Sequence, residues 1–469
     1  MTSKFIVMNL KLIPVITTAL LGFTLTTRAQ TYNQWAHDPF EKLMQRARVV
    51  NPAFEQDIQS LNQDIMHRAV QLNGRLSKTA SVGTIPVIFH IVLDSGKIAR
   101  MGGISGIEER IQSQMDVLNE DYNAANADSS NIPGAFKPLY SNIGVRFALA
   151  HTDPNGKYTP GYEIVRTTKA GFDANNSVMG SQFACSDVKF AASGGVESWN
   201  TEKYLNIWVT NILPTGVGGV GTPPPYTAYG GTILLPWNEQ GIVLAYFVLG
   251  RQTSPGQYFP AATATKGRAL VHEVGHFFNL FHPFGMSTNN NQNCQDDDGV
   301  ADTPPQVAPT MGTCPAFPVT DNCSNTAPGI MFMNHMDYAS DACRYMFSTG
   351  QKDRMQVELA SGGYRYSLLQ NPQLLEPGVM GVKDVTAARP GVEVYPNPAS
   401  THIRIHLQQG MTLQHISLLN SLGQEVLTLN GGIAPNPVVD ADVSALPKGL
   451  YILTCRYKEG NAHTSLVIQ

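Results

Sequence analysis

Residues 272 to 282 constrain this chain more than any other stretch, because three of its twelve histidines fall there at a spacing that suits one metal ion. His272 and His276 stand four apart, so on a helix both imidazoles lie on one face, a turn apart. Glu273 sits beside them in His272-Glu273-Val274-Gly275-His276, placed to act on water rather than to bind the metal. His282 adds a geometric demand. Were the helix to run on, His282 would lie about 15 Å beyond His272, at a rise of about 1.5 Å per residue. A zinc ligand stands about 2.0–2.1 Å from its metal. The chain must therefore turn sharply between His276 and His282. Asn279 occupies that place, where a left-handed backbone suits glycine best and asparagine next.

At 469 residues the chain should contain two or three folded units. Its net charge of −4 offers no broad electrostatic attraction for nucleic acid. Residues 1–29 read as a secretory signal. Lys4 and Lys11 supply the charge, Leu12 to Leu25 the apolar core, and Thr27-Arg28-Ala29 a small-residue cleavage site. No later segment approaches the length of a membrane span. Cys294, Cys314, Cys323 and Cys343 cluster around the histidines, where paired thiols would staple long loops. Four cysteines allow three connectivities, and the sequence does not choose among them. No Cys-x-x-Cys knuckle suggests a structural zinc. Cys185 and Cys455 are expected to be unpaired.

Residues 30–80 are charged and helical, from Pro39-Phe40-Glu41 to His67-Arg68, with too few apolar residues for a core of their own. A catalytic domain is expected over 81–372. It opens with a strand at Ile85 to Leu93 and a helix from about Gly106 to Tyr122, with further strands at 147–150 and 205–209. His90 and His151 fall in strand contexts and read as structural. Pro214 to Gly231 reads as a loop. A linker at 373–391 precedes a tail, 392–469, of short strands spaced about ten residues apart, the pattern of a small β-sandwich.

Gly267 through Phe284 resembles the metzincin active-site helix. Asn334-His335-Met336-Asp337-Tyr338 resembles the Met-turn, the tight turn beneath the metal in that class. With Phe347-Ser348 and Gln351 to Met355, these motifs resemble the pappalysin family over roughly residues 85–360. The resemblance implies an α/β (α+β) metzincin domain that hydrolyses peptide bonds in protein substrates. It also implies zinc on His272, His276 and His282, Glu273 as general base, Tyr338 as donor to the oxyanion, and Met336 as packing under the metal. His335 reads as a turn residue, since a catalytic zinc keeps its fourth position for water. The implied disulfides are Cys294 with Cys323 and Cys314 with Cys343.

Cys294 to Pro304 concentrates carboxylates in a tight loop, and oxygen ligands of this kind suit calcium. It is not an EF-hand loop, lacking the final Glu. The family resemblance implies Asp298 and Thr303 as ligands, with Asp302 a further candidate. Relatives in this branch cut before a basic residue, which implies Asp341 as the acidic base of the pocket for Arg. The pro-segment is expected over 30–80, and self-cutting before Arg75 would then release most of it. Relatives often carry a cysteine there to cap the zinc, whereas this chain has none before Cys185. Asp38, or less readily His37, stands in about that place, although Asp38 reads equally as the N-cap of a helix over Pro39–Arg48. In the tail, Tyr395-Pro396-Asn397-Pro398-Ala399 with Leu446 to Tyr451 resembles the C-terminal sorting domain of the type IX secretion system. The partner it implies is that machinery, in a bacterium that secretes or displays the protein.

Overall fold

The computed structural model describes residues 39–73, 82–174, 185–213, 216–252, 264–286, 294–377, 392–407, 413–420, 423–430, 438–457 and 460–469. The expected signal segment, Asp38, His37 and Arg75 lie outside them. The chain divides into two compact units, Met1–Met380 and Gly381–Gln469.

The first unit begins with helices α1 (Pro39–Val50) and α2 (Phe54–Asn73). Then follow β1 (Gly83–Leu93), α3 (Ser95–Arg100), α4 (Gly103–Tyr122), β2 (Val145–Leu149), β3 (Tyr162–Arg166), β4 (Phe172–Asp173), β5 (Leu205–Thr210), β6 (Ile212–Leu213), β7 (Gly219–Gly221), α5 (Gly231–Leu234), β8 (Ile242–Ala245), α6 (Arg268–Phe277) and α7 (Thr349–Leu359). The main sheet runs β2-β1-β5-β8-β7, with β3 also pairing with β1. Ile85 to Leu93 is buried along its whole length, as its near-continuous apolar run requires of a strand covered on both faces. Val87 pairs in parallel with Leu205, and Ile207 with Ile242. Among the described strands of this sheet only β7 runs antiparallel, with Val220 opposite Val243, and it forms the sheet edge.

Helix α4 buries Ile107, Ile111, Met115, Leu118 and Tyr122, the stripe expected of a helix laid on a sheet. It packs against α6 and β2. Every residue of α6 is buried. The expected loop from Pro214 to Gly231 is only partly a loop. It contains β7, because the small Gly-Val-Gly segment can pair with β8 while lying close to α6. His90 bridges Glu163 (2.6 Å) and Asn206 (2.9 Å) within the sheet, away from any metal cluster.

Among the described residues the second unit contains seven antiparallel strands: β9 (Val392–Tyr395), β10 (His402–Leu407), β11 (Leu413–Leu419), β12 (Glu425–Asn430), β13 (Val438–Asp442), β14 (Gly449–Tyr457) and β15 (Gly460–Ile468). They form sheets ordered β13-β10-β9 and β12-β11-β14-β15. Ile403, Ile405, Ile416, Leu418, Leu453 and Leu466 share one core between them. No described helix is long and apolar enough to cross a membrane.

Candidate active site

Helix α6 is fixed at both ends. Arg268, in its first turn, donates to both oxygens of Asp121 (2.9 Å each) and to Asp128 (2.7 and 2.8 Å). At the other end the Leu280 amide donates to Gly275 O and the Asn279 amide to His276 O, at 2.9 Å each. Asn279 adopts φ 70°, so the chain reverses where the histidine spacing demands.

That reversal brings the three imidazoles together. His276 Nε2 lies 3.1 Å from His272 Nε2 and 3.0 Å from His282 Nε2, and the third edge is 3.3 Å. Ligands about 2.0–2.1 Å from one tetrahedral zinc would be about 3.3 Å apart. His272 Nδ1 donates to His335 O (2.9 Å) and His276 Nδ1 to Leu280 O (2.8 Å). These bonds leave the Nε2 lone pairs facing inward, the tautomer a metal needs. Burial, with His276 and His282 alongside, holds His272 well below the ordinary imidazole pKa. Crowded, inward-facing nitrogens fit a cation at their centre.

Met336 lies beneath this cluster. Its turn is closed by the Asp337 amide donating to Asn334 O, while Asn334 Oδ1 accepts from the Met336 amide (2.9 Å). A Cβ on Gly275 would stand 2.3 Å from the Met336 sulfur, so any larger residue there would push the Met336 side chain aside. Tyr338 Oη stands 3.1 Å from His282 Nε2, and its ring packs on His282 and Phe284. Glu273 Oε2 accepts from the Gly221 amide at 2.7 Å. Gly219 and Gly221 are site residues that the sequence reading missed. A Cβ on Gly219 would stand 2.6 Å from Glu273 Cγ, and one on Gly221 would overlap the Glu273 carbonyl. The Gly216-Val217-Gly218-Gly219-Val220-Gly221 run was the available signal.

The His335 ring packs on Phe347, 4.7 Å between centroids, and stands 3.9 Å from Asp121, outside the triad. Asp341 is buried, its carboxylate accepting from the Thr265 (3.0 Å) and Lys266 (2.6 Å) amides just before α6. The disulfides join Cys294 to Cys323 and Cys314 to Cys343, with Cα separations of 5.3 and 5.7 Å. Cys185 and Cys455 are unbridged and buried.

Asp298 and Thr303 are brought together, with Thr303 Oγ1 at 2.7 and 2.8 Å from the two Asp298 oxygens and 2.7 Å from Val300 O. Burial pushes Asp298 up to about 8. Asp302 turns elsewhere, accepting from Ser348 Oγ (2.6 Å) and the Gly350 amide (2.9 Å) at the start of α7.

The cleft is covered. The Phe40 ring of α1 stacks on His276, 4.2 Å between centroids and 15° between planes, with Phe281 and His282 each 5.7 Å away. Helix α1 packs against β7 and α2 against α7, where Ile65 and Ala69 meet Val357.

A parallel sheet with an antiparallel edge strand, a buried His-Glu-x-x-His helix, a third histidine beyond a reversal and a Met-turn beneath define a metzincin-type metalloprotease. The family model described as pregnancy-associated plasma protein-A, peptidase M43, matches residues 194–360, and that of the secretion system C-terminal sorting domain matches 393–469. An extracellular metalloprotease of Arthroderma benhamiae is 30% identical over 280 residues, which is 60% of this chain and 73% of the relative. Tannerella forsythia mature mirolysin, solved with a cleaved peptide, is 36% identical with a TM-score of 0.54, covering 64% of this chain and all of that one. A promirolysin mutant from Tannerella forsythia is 33% identical with a TM-score of 0.56, covering 70% and 95%. The chain belongs to the pappalysin family. It is a secreted zinc metalloprotease made as a zymogen, and its tail is a type IX sorting domain.

Proposed function

We propose that the chain is an endopeptidase in which Glu273 and Tyr338 act on the scissile peptide beside His272, His276 and His282, with a preference for Arg after the cut. The convergence of three Nε2 atoms within 3.3 Å, with Tyr338 Oη 3.1 Å from one of them, carries the reading. His272, His276 and His282 would hold a zinc ion, which when bound would supply Lewis acidity for the carbonyl and for a water of pKa about 7. Glu273 would act as the general base, taking a proton from the attacking water and passing it to the leaving amine. Its bond from the Gly221 amide fixes the carboxylate's direction. Tyr338 donates its hydroxyl proton in a hydrogen bond to the oxyanion. An extended substrate would lie along β7, the edge strand next to Glu273, once α1 is removed from it.

For specificity we assign Asp341. Its carboxylate is buried and accepts from the Thr265 and Lys266 amides, so a guanidinium fork would use its remaining acceptor positions only once access to them is opened. The same preference would let the enzyme cut before Arg75 and release its own pro-segment. Phe40 on His276 supports latency by occlusion. Asp38, two residues earlier in sequence, is the proposed cap on the metal in the precursor. Asp298 and Thr303, an oxygen-only pair, are the proposed calcium ligands.

Digestion of a mixed protein substrate, with the new termini read by mass spectrometry, tests the specificity. Wild type should leave Arg at the new N-termini, and Asp341→Ala should lose that enrichment while still cutting. An unchanged Arg preference in Asp341→Ala would remove Asp341 from the pocket.

A further inference from the structure

We infer that the Asn279 side chain is a positioning device for the metal ligands, a role distinct from its backbone conformation; the inference rests on the triad reading. At φ 70° glycine would be the least strained residue. What asparagine adds is an amide with two partners. Its Oδ1 accepts from Tyr229 Oη at 2.7 Å, and its Nδ2 donates to Glu358 Oε1 at 2.8 Å. These partners lie 50 and 79 residues away in sequence, one in the turn Thr227–Tyr229 and the other on α7. Asn279, Tyr229 and Glu358 are all fully buried, so no bulk water can replace a lost partner.

The junction is itself supported. Glu358 Oε1 also accepts from Tyr226 Oη at 2.8 Å, while Oε2 makes no hydrogen bond among the described residues. Removing the Asn279 amide would leave Tyr226 as the remaining hydrogen-bond donor to a buried carboxyl. Arg354, one turn earlier on α7, donates Nε to Asn279 O and lays its guanidinium over Phe281, 4.6 Å from the ring centroid. The reversal after α6 is thus tied by its backbone to α7, and by its side chain to both α7 and the 227–229 turn.

The tie reaches two of the three ligands. Leu280, the next residue, presents the carbonyl that orients His276 through Nδ1 at 2.8 Å. His282 follows three residues after Asn279, with Phe281 between them held under Arg354. A shift of this short segment would turn His276 and displace His282 together. Asn279 touches neither metal nor substrate, so its effect is on ligand aim.

Backbone strain and ligand aim predict opposite outcomes for Asn279→Gly. If conformation were all that the position supplies, glycine would serve at least as well. If the side chain holds the ligands, glycine should fold and bind metal poorly. The test uses the full-length precursor carrying Glu273→Ala, loaded with zinc and separately with cobalt(II). Asn279→Gly should release zinc to a chelator several-fold to about 10-fold faster, the lower end of the loss usual for a direct partner of a metal ligand, and should alter the cobalt visible spectrum. Tyr229→Phe, which removes one hydroxyl, should move both readouts in the same direction by a smaller factor. In the active background, Asn279→Gly should lower kcat with KM kept within about twofold.

Wild-type zinc release and an unaltered cobalt spectrum in Asn279→Gly would overturn the inference. Should that variant fail to fold, Tyr229→Phe decides, and wild-type release there overturns it equally. A separate control addresses the triad: His282→Ala retaining zinc as wild type does would sink the metal site itself, whatever Asn279→Gly shows.

Discussion

Tyr338 makes the sharpest residue-scale prediction. Removing one hydroxyl that meets the developing oxyanion should cost about 10²–10³ in kcat with little change in KM, so Tyr338→Phe measured by steady-state kinetics separates donation from packing. A variant with near-wild-type kcat would reduce Tyr338 to a ring beside His282. Asp298 makes a prediction in pH. Its folded pKa of about 8 stands above the ordinary carboxylate value, so without a cation its contribution to stability is present at low pH and is lost as pH rises through about 8. Calcium needs the ionised form, so the rise in Tm on adding calcium should grow between pH 6 and pH 9. A Tm indifferent to calcium throughout would remove Asp298 and Thr303 as a site. The triad was legible from sequence because its spacing is local and overdetermined. Gly219 and Gly221 were not, because the demand for glycine arises only once β7 lies over Glu273, 52 residues away at Gly221. The inward turn of Asp341 toward two amides was likewise invisible in its one-letter context.

Among the elements, α1 and α2 show what a segment without its own core can do. Each lends an apolar face to the body, and Phe40 stacks on His276. Phe40→Ala should therefore weaken the hold of α1 and speed self-processing of the precursor by about tenfold, the scale of a buried aromatic ring lost from a contact. Gel time courses of the two precursors check this. Equal rates would mean that α1 does not keep the cleft closed. The long elements were legible, since β1 and α4 advertise themselves by an apolar run and a helical stripe. The three-residue β7 was hidden in a glycine- and proline-rich stretch, because pairing with β8 and not local propensity makes it a strand.

On the scale of the whole molecule, the chain joins a latent protease to a sorting domain with a separate core. Deleting residues 392–469 should leave proteolysis of a test protein unchanged after activation and abolish export from a cell with type IX secretion, as read by cell fractionation. Loss of proteolysis on that deletion would show that the tail supports the catalytic unit. That a small β domain follows the catalytic region was legible from the ten-residue strand spacing.

The most direct measurement is a time course of the purified precursor, wild type beside Glu273→Ala, with termini read by mass spectrometry and a protein substrate present. The account predicts that only wild type loses about its first 80 residues and cuts the substrate, and that a chelator blocks both. Precursors that both stay intact and inert with zinc bound would contradict it.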